Sequence, residues 1–207
     1  MSEIKGAGPG PRDIERLFAG EFGVSYTDRN AVMDPAKPRF FRELFERLGV
    51  RRVLECGSNL GLNLGDAIGA GLDVWGIDVQ RTAIERAWAT RGGGNFVVGS
   101  ILDLPFRDAY FDLTFTCGVL IHVPPTAIDD VMREMVRTSR RYVMSAEYHD
   151  DADEVAVPWR GHDQALWRRN YKKKWLESFP SLRLVEEGYK SPEEGFDRIT
   201  YHVFEKA

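Results

Sequence analysis

The chain has 207 residues, 28 Lys plus Arg against 32 Asp plus Glu, and a formal net charge of -4. At roughly 100 to 200 residues per domain this length predicts a single domain over 1–207, and 43% hydrophobic with 29% charged residues excludes wholesale disorder. The acidic balance excludes a global attraction to polyanions, two cysteines are too few for a disulfide framework, and no apolar run reaches the ~18 residues of a membrane span, so the expected location is the cytoplasm. In chain order, residues 6–11 are rich in Gly and Pro and read as a mobile lead-in, while 11–19 and 38–48 read as helices of an N-terminal lid segment, 1–50, ahead of a core at 51–207. Residues 53–56 are a short apolar run that breaks at Gly57, as a buried parallel strand does, and Leu60, Leu64, Ala67 and Ile68 then recur at helical spacing. Strands at 72–78, 95–99, 111–117 and 141–147 alternate with helices at 82–91 and 126–138. A basic aromatic segment at 159–175 is expected to contain a further helix, and final strands are expected at 182–189 and 199–205. This alternation predicts an α/β fold: a Rossmann-like, open, mostly parallel seven-stranded sheet with helices on both faces.

Two positions carry the chemistry. In Glu55-Cys56-Gly57-Ser58-Asn59-Leu60-Gly61 a strand breaks at glycine and leads towards a helix, which is where an open α/β sheet binds ligands. Asp78 ends the next strand, 21 residues after Gly57, where a carboxylate can accept both hydroxyls of a ribose. A dinucleotide fingerprint needs glycine where Glu55 stands, and a carboxylate there repels pyrophosphate. It welcomes a cationic amino-acid portion instead, which favours S-adenosylmethionine.

With Gly76-Ile77-Asp78, Gly99-Ser100-Ile101-Leu102-Asp103-Leu104-Pro105-Phe106 and Phe111-Asp112-Leu113, these stretches resemble the ordered motifs of class I S-adenosylmethionine-dependent methyltransferases over residues 51–147. A narrower resemblance covers nearly the whole chain. Gly20 to Asn30, Cys117-Gly118-Val119-Leu120-Ile121-His122-Val123-Pro124-Pro125, Glu147-Tyr148 and Trp159-Arg160-Gly161-His162-Asp163 are similar to the pseudaminic acid biosynthesis-associated methylases. The resemblance implies that Glu55, Gly57 and Gly61 shape the methionine side of the cofactor pocket with Ser58 and Asn59 beside them, that Asp78 holds the ribose, and that Val79 lies against adenine. Many relatives carry an acidic residue after the third strand to accept the adenine amino group; here Ser100 and the backbone of Ile101 stand in its place. Cys117 and Gly118 are expected at the transferable methyl. Phe22, Tyr26, Arg29 and Asn30 are expected to close over the site, with Arg29 pairing the cofactor carboxylate and Phe22 facing the acceptor.

Asp103 and Asp112 fit turn and strand-edge roles, and Cys56 and Cys117 fit small core residues. Proton transfer, where the acceptor needs it, has His122, His162 and Glu147 with Tyr148 as candidates, His122 being equally explained as a structural helix-entry residue. The 159–175 segment holds six Arg or Lys and one acidic residue. Lys172 to Lys174 are explained by a solvated helix face, whereas Arg160 and His162, assisted by Arg168 and Arg169, suit a small anionic acceptor such as a sugar, a nucleotide-linked sugar or a phosphonate. The four histidines form no metal-binding cluster. Two other readings stand beside methyl transfer: an RNA-directed protein using the basic segment, disfavoured by the absence of an RNA-binding module, and a cofactor-binding partner without catalysis.

Overall fold

The computed structural model describes residues 10–152, 154–162 and 165–207; residues 6–9 of the Gly/Pro-rich stretch and Asp163 of the flanking motif lie outside the described residues. Three helices come first, α1 (Pro11–Ala19), α2 (Glu21–Arg29) and α3 (Ala36–Leu48). Alternation follows through β1 (Arg52–Cys56), α4 (Gly65–Gly69), β2 (Asp73–Asp78), α5 (Arg81–Thr90), β3 (Asn95–Val98), β4 (Phe111–Cys117), α6 (Ile128–Thr138) and β5 (Ser139–Glu147). The chain ends with a small ribbon, β6 (Val155–Ala156) and β7 (Trp167–Arg168), then α7 (Tyr171–Ser178), β8 (Leu182–Lys190) and β9 (Ile199–Lys206).

Seven strands form one sheet in the order β3-β2-β1-β4-β5-β9-β8, with β9 antiparallel to both neighbours. From β1 the chain winds outward to β3 and then returns to set β4 on the other side of β1, leaving a crevice at the carboxyl ends of the strands. Strand periodicity divides the core between two faces. Leu54, Val143 and Phe204 point to the face covered by Val131, Met132 and Met135 of α6 and Trp175 of α7. Val53, Met144 and Val203 point to the other, covered by Phe41 and Phe45 of α3 and Ile84 and Ala87 of α5. The buried stripe Ile128, Val131, Met132, Met135 is what makes α6 a helix that packs on the sheet.

One local expectation is corrected and two stretches gain detail that the sequence did not carry. Apolar spacing predicts a helix over 60–68, but α4 covers only Gly65–Gly69. Gly57, Asn59 and Gly61 all have positive φ (74°, 48° and 63°), a backbone that cannot continue a right-handed helix, so the chain passes from β1 through successive tight turns. The basic segment contains its expected helix, which begins at Tyr171; among the described residues before it, Val155–Ala156 and Trp167–Arg168 form the β6/β7 ribbon, and Trp159 pairs by its backbone with His162 around Arg160 and Gly161 at φ 49° and 84°. Residues 21–29, part of a motif to which the sequence reading assigned no element, form α2, whose buried residues are Gly23 and Thr27. Close helix approach rather than an apolar stripe holds it: a Cβ on Gly23 would lie 1.6 Å from the Phe18 carbonyl oxygen.

Candidate active site

A cavity of about 310 Å³ opens over the carboxyl ends of β1, β2 and β4, at the reversal in strand order. Its floor is backbone held by backbone. The amides of Gly57 and Ser58 both donate to the Ile77 carbonyl, at 2.7 and 3.0 Å, and stitch the turn after β1 to the end of β2. A Cβ on Gly57 would sit 2.5 Å from Val119 Cγ2, so this turn requires glycine for space as well as for φ. Gly61 is excluded from bearing a side chain by the Phe96 ring, which a Cβ would approach to 2.4 Å.

Polar groups gather on this floor. Glu55 is 1% exposed; its Oε1 accepts from Asn63 Nδ2 at 2.5 Å, while Oε2 has no partner. Burial pushes the Glu55 carboxyl up to about 8, against the pull of Asn63 and of the Lys37 ammonium. Thr27 Oγ1, Ser58 Oγ, Asn59 Oδ1 and Asn63 Oδ1 also line the cavity, buried and unpartnered. The Glu55, Asn59 and Asn63 oxygens are acceptors that call for ligand donors, and the two hydroxyls can either donate or accept. Asp78 is held rigidly, its Oδ2 accepting from the Asn59 amide at 2.8 Å and its Oδ1 from the Gln80 amide at 2.8 Å. Burial raises its pKa and these backbone bonds oppose the rise.

The roof is made of side chains. Phe18, Tyr26, His122 and Trp159 line the cavity with ring centroids 4.5 to 6.3 Å apart in the pairs they form. Arg160, at the tip of the turn, lies 5.4 Å from the Trp159 ring centre. Gln80, just after β2, ties down the α1–α2 junction by donating to the carbonyls of Phe18, Ala19 and Gly20 at 3.0, 3.3 and 3.1 Å. His122, 7% exposed, shares a 2.6 Å hydrogen bond between Nδ1 and the Ala165 carbonyl; only a protonated Nδ1 can donate there, so Nε2 of the neutral ring carries the free lone pair. Burial pushes its pKa down to about 4.

The cavity brings together Tyr26, Asn30, Glu55, Gly57, Ser58, Asn59, Asp78, Val79, Ile101, Cys117, Gly118, His122, Tyr148 and Arg160 as expected residues of one site. Burial pushes the Cys117 thiol up to about 12, in keeping with a packing role. Other expected residues do not line it. Arg29 is exposed in the last turn of α2, and the cation beside Glu55 is instead Lys37 of α3, whose side chain is 12% exposed and whose Nζ lies 3.5 Å from Asp197 and 5.7 Å from the Phe196 ring centre. Burial opposes the Lys37 charge, yet Cys117, Asp197 and Glu55 hold its pKa above the usual value. Glu147 is fully buried, pushed up to about 7 by burial, and accepts from the amides of Val119 and Ile121 at 3.3 Å each; it braces the loop that carries His122.

Phe22 and His162 stack edge-on at 5.3 Å one layer outside the cavity, and Arg168 is an exposed partner of Asp150 at 3.4 Å. Arg169 is 1% exposed and spent on structure: it donates to Glu154 at 2.5 Å and to the Leu120 and Val123 carbonyls at 2.9 and 2.7 Å, on either side of His122. Gly61 supports the floor turn from outside, and Ser100 faces α1. Lys37, Asp197, Asn63 and Glu15 were missed from the sequence because their positions, in helix, loop and lid, carry no motif.

Residues 54–141 match the methyltransferase domain family. A curated O-methyltransferase, rstn1 of Aspergillus nomiae, is 31% identical over 139 residues, covering 60% of this chain and 62% of its own, so the chain spans less than two thirds of that relative's length. Among solved structures, the 1,6-didemethyltoxoflavin-N1-methyltransferase of Burkholderia thailandensis, with its acceptor and S-adenosylhomocysteine bound, superposes with a TM-score of 0.78 at 17% identity, over 99% of this chain and 93% of that one. Magnesium protoporphyrin IX methyltransferase of Synechocystis, with S-adenosylhomocysteine bound, gives 0.71 at 12% identity, over 96% and 100%. The fold is the Rossmann-like fold of the methyltransferases. No helix among the described residues is long and apolar enough to cross a membrane.

Proposed function

We propose that the chain is an S-adenosylmethionine-dependent O- or N-methyltransferase acting on a small acceptor that carries an anionic group. The observation that supports this above all is the pairing, on one rigid floor, of a buried Glu55 with an unpartnered oxygen and an Asp78 carboxylate fixed by two amides. Glu55 and the neighbouring Asn63 and Asn59 oxygens suit the cofactor's ammonium, Lys37 suits its carboxylate, and Asp78 suits its ribose. When bound, the cofactor supplies a methyl carbon made electrophilic by the adjacent sulfonium. The chain's share of the work is alignment and exclusion of water: Tyr26, Phe18 and Trp159 cover the cavity, and Tyr148 borders it at the end of β5. His122 accepts the acceptor's proton at Nε2, its tautomer set by Ala165, and its low pKa keeps it neutral through the physiological range. Arg160 presents a cation at the mouth for the acceptor's anionic group. The resemblance to the pseudaminic acid-associated methylases makes a sugar or nucleotide-linked sugar the first acceptor class to assay.

The charge pattern argues against the RNA-directed reading, because the basic segment is neutralised within the fold: Lys172 pairs with Glu187, Lys174 with Asp129 and Arg168 with Asp150. Calorimetry with S-adenosylmethionine, S-adenosylhomocysteine and NAD tests the proposal. Binding of the first two and not the third is expected, followed by methyl transfer to an acidic acceptor. Binding of NAD alone, or of none by folded protein, overturns it, and cofactor binding without turnover on any acceptor moves the chain to the non-catalytic reading.

A further inference from the structure

We propose that Glu15, on lid helix α1, reads the adenine ring of the cofactor and so makes nucleobase recognition depend on lid closure. The inference rests on the methyltransferase reading and goes beyond it. The floor of the cavity runs in one direction from Glu55 at the end of β1, past Asp78 at the end of β2, to Ile101 and Leu102 after β3. A nucleoside whose amino-acid end lies at Glu55 and whose ribose lies at Asp78 therefore extends its base towards Ile101 and Leu102. There the walls are apolar, Val79, Ile101 and Leu102 below with Ile14 and Phe18 of α1 above, a slot suited to a flat ring. Among the cavity-lining residues at this end Glu15 is the one charged side chain.

Its carboxylate is positioned, not loose. The Glu15 side chain is 17% exposed; one oxygen accepts from the Ser100 hydroxyl, 85 residues away, and the other from Arg12 at 2.8 Å. Ser100 is in turn fixed by the Leu102 amide, which donates to its Oγ at 3.0 Å. The residue after β3 is thus too short to present a charge itself, yet it anchors one delivered from the lid. A carboxylate has acceptor capacity beyond these two bonds, accepts from the 6-amino group of adenine and repels the 6-oxo group of hypoxanthine. It lies on α1, so the base bridges sheet and lid.

Calorimetry with S-adenosylhomocysteine and its inosine counterpart, S-inosylhomocysteine, tests this in the full chain. The wild type is expected to prefer the adenine compound by roughly tenfold or more, as buried hydrogen-bond recognition gives. Glu15→Gln, whose amide both donates and accepts, is expected to bring the two within about twofold, and Glu15→Asp, which keeps the charge, to preserve the preference at reduced affinity. A Glu15→Gln change that weakens both compounds by the same factor, or neither, overturns the assignment while leaving the methyltransferase reading intact. Failure of the wild type to bind either compound overturns both. Melting temperatures of the two variants identify loss of fold, and the Asp variant carries the test if the Gln variant is unstable.

Discussion

The floor and the roof of the cavity are built on different principles. The floor is stitched by backbone hydrogen bonds between β1, β2 and the turn at Gly57, and its carboxylate at Asp78 is gripped by two amides. The roof is a cluster of rings from α1, α2 and the turn at 159–162, tied down by single side chains such as Gln80. A floor of this kind fixes cofactor geometry before anything binds, whereas a roof of this kind can open and reclose at small cost because each ring contact contributes only about 0.5–1.5 kcal/mol. Rigidity sits where charge must be placed, and adaptability sits where ligands enter.

Substitutions should separate the two. The largest effect is expected at Gly57: Gly57→Ala forces a side chain into positive φ and against Val119, costing about 2–3 kcal/mol and about 4–10 °C in Tm, with cofactor binding lost. Thermal denaturation and calorimetry check both. Next comes Glu55→Gln, which removes a charge-assisted bond and should weaken S-adenosylhomocysteine by about 2 kcal/mol, roughly thirtyfold. Glu55 is pushed up to about 8 when free, so the wild type at pH 7 binds with its carboxyl mostly protonated and releases a proton as the cofactor's ammonium draws out the charge. Affinity should therefore rise with pH towards 8, and the Gln variant should lose both the rise and the proton release, read from calorimetry in buffers of different ionisation enthalpy.

A smaller effect is expected in the roof. Trp159→Ala should accelerate hydrogen exchange in α1 and α2 and lower turnover, while changing cofactor affinity by less than about threefold. A loss of affinity equal to that of Glu55→Gln would erase the distinction between floor and roof. The smallest effect is a pH dependence at Glu147. Its pKa is raised from 4.5 to about 7 in the fold, so its favourable contribution is complete below 4.5 and is lost as the pH rises through about 7. Relative to Glu147→Gln, the wild type should lose stability between pH 5 and 8, read as a falling Tm, and equal Tm profiles would remove this role.

The same division governs what could be read from the sequence. Strands β1, β2 and β4 announced themselves as apolar runs, and Glu55, Gly57 and Asp78 were legible because a floor needs particular residue types at particular strand ends. The roof was less legible. Helix α2 has no apolar stripe, and its place depends on a glycine packed against Phe18. Arg29 looked like the cofactor's cation in sequence, but it stands on the solvent side of the last turn of α2; Lys37 and Asp197 meet across 160 positions and leave no local pattern. Glu147 shows the converse, a carboxylate at the end of a strand by the site, which reads as catalytic until its oxygens are seen to be occupied by the amides of Val119 and Ile121.

Arg169 joins parts that are otherwise distant in sequence. Through the carbonyls of Leu120 and Val123 it binds the segment carrying His122 to the ribbon that ends in the turn at Arg160, and Ala165 adds the bond to the imidazole. Anyone transplanting acceptor preference between relatives of this fold should therefore move residues 119–123 and 154–169 as one cassette, since a graft of either alone would strand a guanidinium in the interior and release the histidine it steadies.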